Sequence, residues 1–146
     1  MKASSWRQDR DAYPHTAEIQ TRYGDEDVLR HVNNISVAVY YDEARARLMR
    51  HIFELAGAPS DIRIVTAESR ISYAGELFYP QPVEVRSGIL KVGNASFQIG
   101  QAVFQQGRYA GFCETVFVQA SKTGAEPLHP GLRTAVEGMM IKGAEG

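Results

Sequence analysis

The chain has 146 residues, 16 Lys and Arg against 17 Asp and Glu, and a single cysteine. That length fits one compact unit able to fold without disulfides or structural metal, and the solitary Cys113 excludes an intrachain bridge and any cysteine-paired zinc site. A net charge of -1 lacks the basic excess of a nucleic-acid binder, no apolar run approaches the roughly 20 residues that cross a bilayer, and the polar first ten residues hold no signal core, so a soluble cytoplasmic protein is expected.

Residues 1–16 mix charge with Ser and Pro without a period and are expected to form an N-terminal arm, frayed or loosely covering the rest. A domain is expected over 17–120, with 121–146 as a tail that carries a short helical turn near Thr134 to Met140. Ala17, Ile19, Thr21 and Tyr23 alternate with Glu18, Gln20 and Arg22, the pattern of a half-buried strand. Gly24 to Val32 reads as an acidic loop closing on Asn33-Asn34, both good helix caps. From Ile35 to Ala56, Val37, Tyr41, Ala44, Leu48, Ile52 and Leu55 recur at helical spacing, and Gly57 with Pro59 marks the stop. Arg45, Arg47 and Arg50 read as a solvated helix face.

The rest alternates with period two. Val65 to Tyr73 is followed by the Pro80-Gln81-Pro82 break, then Val83 to Ile89, a Gly93-Asn94 turn, Phe97 to Val103, a Gln106-Gly107 turn and Phe112 to Val118. Four strands in a meander are expected after the helix. One helix cannot cover both faces of a five-strand antiparallel sheet, but the sheet can wrap around it. The remaining face and edges then call for a second copy, so a homo-oligomer, dimer or tetramer, is expected.

The scattered glycines form no phosphate-binding loop and no serine sits in a nucleophile elbow. Cys113 falls within an alternating strand and reads as a small core residue. The dense polar run is Tyr23 to Asn34 (YGDEDVLRHVNN), at the entrance to the long helix. Unpaired N–H groups of a first helical turn, with the positive end of the dipole, stabilise negative charge on a nearby oxygen. A carboxylate beside them can attack a polarised carbonyl or direct water at it. On residue type alone, Asp25 and Asp27 read equally as turn or capping residues, Asn33 and Asn34 as caps, and His31 as a hydrogen-bonded loop histidine.

The run from Tyr23 to Arg45 resembles the signature of the hotdog-fold thioesterases of the 4-hydroxybenzoyl-CoA and acyl-CoA thioesterase group: D-x-D, a G-H-V-N-N-like turn, then a helix carrying an aromatic, an acid and A-R. Tyr79 to Val85 (YPQPVEV) is similar to the segment that opens that family's third strand. The resemblance, over residues 17–120, implies an α+β hotdog fold, a five-stranded antiparallel sheet wrapped around one long helix. It implies Asp27 as the catalytic carboxylate, nucleophile or general base, and the backbone N–H near Asn34 as the donor to the thioester oxygen. His31, Asn33 and Tyr41 become candidate substrate contacts, and Asp42 and Arg45 match helix positions expected to be structural. The implied substrate is an acyl or aroyl thioester of coenzyme A or of acyl carrier protein, bound between subunits, with no metal or other cofactor. Two departures stand out: Arg30 replaces a glycine, which calls for a different backbone angle there, and Val37 replaces a tyrosine.

Two other functions fit the same fold. An enoyl- or hydroxyacyl-thioester hydratase would pair Asp and His five apart with an intervening N-P; here Asp25 and Asp27 precede His31 by six and four, and N-P is missing. A non-catalytic acyl-thioester binder would keep the fold and lose turnover.

Overall fold

The computed structural model describes residues 5–144; residues 1–4 of the expected arm and 145–146 of the tail lie outside them. Strand β1, His15–Ile19, begins two residues before the expected start and ends early. Ala17, Ile19 and Thr21 are buried as the alternation predicts, whereas Tyr23 lies in a 3₁₀ turn over Tyr23–Asp25 and faces solvent.

Helix α1 spans Asn34–Ala56. Asn33 caps it, its side-chain oxygen accepting from the N–H of Ser36 at 2.8 Å, and Gly57 ends it in the left-handed conformation at φ 56°. Val37, Tyr40, Tyr41, Ala44, Leu48, Met49 and Ile52 form its buried stripe. Leu55, expected in that stripe, is exposed, because the inward face of the last turn is taken by Ile52, Phe53 and Ala56 instead.

The remaining strands are β2 (Ile64–Tyr73), β3 (Val83–Val92), β4 (Ser96–Gln105), β5 (Arg108–Ser121) and the two-residue β6 (Gly124–Ala125). Their order is β1-β3-β4-β5-β2, with β6 on β5, and the pairs are antiparallel. The four-strand meander expected after α1 is therefore corrected: only β3, β4 and β5 meander. β2 pairs with β5 at the far edge, because the long connection from Ala74 to Pro82 carries the chain back across the sheet to β3. The five-strand sheet curled about one long helix that the resemblance implies is present.

Core side chains from β3, β4 and β5 meet α1 on the concave face. Val83, Val85, Val103 and Ala110 pack against Val37, Tyr41 and Ala44, and Ile89, Phe97 and Ile99 pack against Leu48 and Ile52. The terminal segments also pack. Ala12 and Tyr13, with Trp6, lie against Phe104, Phe112 and Ile141 on the convex face. Gly88 makes room for this cover, since a Cβ there would fall 2.6 Å from both Pro14 and Ile141. In the expected tail, helix α2 (Pro130–Glu137) buries Leu132 and Val136 beside Leu48 and Ile52.

Candidate active site

The loop before α1 is a narrow hairpin closed by a bridge between Glu26 and Val32. The N–H of Arg30 donates to the Asp27 carbonyl at 3.1 Å, and the N–H of Asp27 donates to the His31 carbonyl at 3.0 Å. This is a type I turn followed by a residue in the left-handed region, and that residue is Arg30, at φ 67°. The different backbone angle expected from arginine at this place is not taken; the loop keeps the angle that glycine adopts freely.

Asp27 opens the turn, its Oδ1 accepting from the N–H of Leu29 at 2.8 Å. The turn-residue reading is thus true of one oxygen. The other, Oδ2, lies 3.7 Å from His31 Nδ1, and the side chain is 30 % exposed. His31 Nε2 faces Glu76 Oε1 at 3.8 Å, so the imidazole stands between two carboxylates.

Asp25 is the buried acid of the run, at 1 % exposure. It receives Tyr40 Oη at 2.5 Å, Ser36 Oγ at 3.3 Å, the Arg22 N–H at 2.9 Å and the Arg22 guanidinium at 3.1 Å. Burial pushes its pKa up, but the bonds from Tyr40 and Arg22 outweigh burial and hold it below the usual carboxylate range. Burial, and then the bond to Asp25, raises the Tyr40 phenol. The Asp25 carbonyl accepts from the N–H of Asn33 at 2.9 Å, so this residue fastens the loop to the helix start.

With Asn33 spent on capping Ser36, the N–H groups of Asn34 and Ile35 meet no acceptor among the described residues. Asn34 lines a depression of about 260 Å³ with His31, Val37, Tyr73 and Glu76. Asp27 lines its neighbour, about 600 Å³, with Tyr23, Glu26, Val28 and Arg30. His31 reaches both. The sequence-derived residues therefore divide. Asp27 faces His31, His31 shares a depression with Asn34, Asn33 fixes the start of α1 by its cap, and Tyr41 lies apart from them. Tyr41 is 1 % exposed and lies on the inward stripe of α1, four residues beyond Val37, so it serves the core rather than a substrate-facing surface. Arg45 also departs from its reading as a solvated residue. Its side chain is 11 % exposed and donates to Gln101 Oε1 at 3.0 Å, beneath the helix.

The sequence reading missed Ser36 and Tyr40, although their spacing of four carried the signal: it stacks two hydroxyls on one face of the first helical turns, facing Asp25. Glu76 and Tyr73 come from the far end of β2 and its following loop, and nothing near the motif points to them.

A profile described as the thioesterase-like superfamily matches residues 21–136, a span holding the loop, α1, β2 to β5 and nearly all of α2. The chain belongs to the thioesterase-like superfamily. As a member it is a thioester hydrolase, and its curled sheet and single long helix are the hotdog fold. Among solved structures, the thioesterase resembles the PA5185 protein of Pseudomonas aeruginosa, with TM-score 0.78, 24 % identity and coverage of 91 % of this chain and 96 % of that one. It resembles a predicted thioesterase of Bacillus stearothermophilus, with TM-score 0.76, 26 % identity and coverage of 86 % and 95 %. A Thermus thermophilus thioesterase complexed with coenzyme A and Zn has TM-score 0.76, 23 % identity and coverage of 88 % and 95 %. No curated protein sequence matches the chain. No helix among the described residues of the thioesterase is long and apolar enough to cross a membrane.

Proposed function

We propose that the protein hydrolyses acyl-coenzyme A thioesters, with Asp27 as nucleophile or general base and the first N–H groups of α1 binding the thioester oxygen. The observation that carries this reading is that His31 stands 3.7 Å from Asp27 Oδ2 and lines one depression with Asn34, whose N–H is uncapped. The N–H polarises the carbonyl as the tetrahedral oxyanion develops, which elsewhere is worth about 2.7 to 4 kcal/mol per donor. Asp27 either takes a proton from an attacking water or adds to the carbonyl carbon itself, in which case thiolate loss leaves a mixed anhydride on Asp27 that water then hydrolyses to restore the carboxylate. Collapse breaks the C–S bond and releases a thiolate, a good enough leaving group that the step calls for no metal or redox cofactor. Asp27 is fixed for this by its own Asx turn, and His31 separates it from Glu76.

Coenzyme A rather than a carrier protein is the thioester carrier in this reading, and the Thermus relative complexed with coenzyme A supports it. Two copies form the working unit: Val28, Leu29, Ile35, Val39 and Tyr73 are exposed around the site, and β2 ends the sheet unpaired. A cytoplasmic setting goes with the single free, buried Cys113.

The test is free-thiol release from a panel of acyl- and aroyl-CoA thioesters. Asp27→Asn is expected to lower kcat by orders of magnitude. Asn34→Pro is the sharper variant, because proline is tolerated at the first helical position yet removes the proposed oxyanion donor. It is expected to lower kcat about 10²- to 10³-fold with the helix intact by circular dichroism. Near-wild-type turnover in both variants removes this mechanism. A change in absorbance at an enoyl double bond without thiol release makes the protein a hydratase, and saturable binding with neither makes it a binder.

A further inference from the structure

Among the described residues, two non-glycine residues hold positive φ, Arg30 at 67° and Gln106 at 52°. Gln106 is accounted for by its hairpin: with Gly107 it makes the two-residue turn between β4 and β5, which requires that angle. Arg30 is not accounted for in this way. A type I turn followed by a left-handed residue is ordinarily completed by glycine, and an arginine there is held at an energetic cost without any stabilising bond in return. Its side chain is exposed and forms no ion pair among the described residues. Backbone strain retained at a site edge points to a role for the side chain that incurs it.

The surroundings indicate the role. Arg30 lines the 600 Å³ depression together with Asp27, Glu26, Val28 and the exposed ring of Tyr23, and is the one cation among those lining residues. Arg22, nearby, is committed to Asp25. Without Arg30 the depression would present two carboxylates to a polyanionic thioester. The geometry points to Arg30 as the residue that attracts the phosphates of the coenzyme from the edge of this depression, as the pantetheine arm carries the thioester in toward Asp27. This rests on the coenzyme A reading above and adds the residue that recognises the coenzyme rather than the acyl group.

A phosphate contact acts on capture and binding, not on the chemical step, and it is screened by salt. Three variants test it: Arg30→Gly, Arg30→Asn and Arg30→Lys, the first two being well suited to the left-handed angle. Two probes are compared, octanoyl-CoA and the phosphate-free octanoyl thioester of N-acetylcysteamine. For octanoyl-CoA, Arg30→Gly and Arg30→Asn are expected to raise KM about tenfold with kcat unchanged and to flatten its salt dependence. For the phosphate-free thioester no change is expected, and Arg30→Lys should retain most of the effect. Calorimetry with coenzyme A itself reads the same loss of affinity without turnover, so the inference stands or falls even if no thioester is hydrolysed. Unchanged coenzyme A affinity in Arg30→Gly, or an equal loss for both thioesters, overturns it.

Discussion

The Asp25 carboxylate sits buried against the first turns of α1 with Tyr40, Ser36 and Arg22 around it. Because its pKa in the fold lies below the ordinary value, the ionised form is the one that folding favours. Its contribution is therefore complete above the unfolded value of about 4 and is lost as pH falls through that value toward the folded one. Asp25→Asn, which keeps the shape but removes the charge from these bonds, is expected to destabilise the fold by about 2 kcal/mol at pH 7. Urea midpoints of the two proteins should converge as pH drops below about 4; a gap that persists there would show that the charge is not the cause. Asp27, two residues on, has one oxygen in a turn and one free, so its substitution should affect turnover with little change in the urea midpoint. That division was only half legible in the sequence. The D-x-D spacing marks both acids, but which one the helix buries depends on Ser36 and Tyr40 lying above the first, a packing fact that the motif alone does not carry.

At the scale of the element, α1 was legible to within one residue because three signals agree there: a period near 3.6, an asparagine cap and a glycine stop. The strands were legible as strands, since alternation of period two marks an element half buried on a sheet. What period two does not specify is the neighbour. β2 reads like any strand, yet it lies at the sheet edge beside β5, because the 74–82 connection spans the sheet instead of turning tightly. The loop 26–32 makes its own prediction. Glycine at position 30 removes the clash between Cβ and backbone at φ 67°, so Arg30→Gly is expected to raise stability by about 1 kcal/mol, read as a higher urea midpoint. The same variant is expected to lose affinity for coenzyme A. Stability and binding thus move in opposite directions, an outcome that simple loss of fold does not produce.

At the scale of the whole molecule, the protomer covers its convex face with its own termini but leaves two features of the other side open. β2 is ten residues long and carries unpaired backbone groups along its outer edge, the kind of edge that single-chain proteins shorten, charge or cover. Beside the site, Ile35 and Val39 lie four apart on the outward face of α1 and are exposed, as are Val28 and Leu29 at the loop tip, Val28 at 95 %. Isolated exposed apolar residues are ordinary, but a cluster of this kind is what the proposed pairing of two copies would cover. A second copy related by a twofold axis satisfies both features at once, since an antiparallel strand can pair with its own image. Sedimentation of the wild-type protein is therefore expected to give twice the 16.2 kDa chain mass, or a multiple of that dimer. Val39→Asp places a charge in the apolar cluster without touching the buried stripe of α1, so it is expected to shift the population toward monomer while circular dichroism is unchanged. Because the exposed Val28 and Tyr73 line the depressions beside Asp27 and Asn34, thiol release should fall in proportion to the monomer fraction and recover as protein concentration is raised. Full activity in a protein that sediments as a monomer would mean that one protomer completes the site alone.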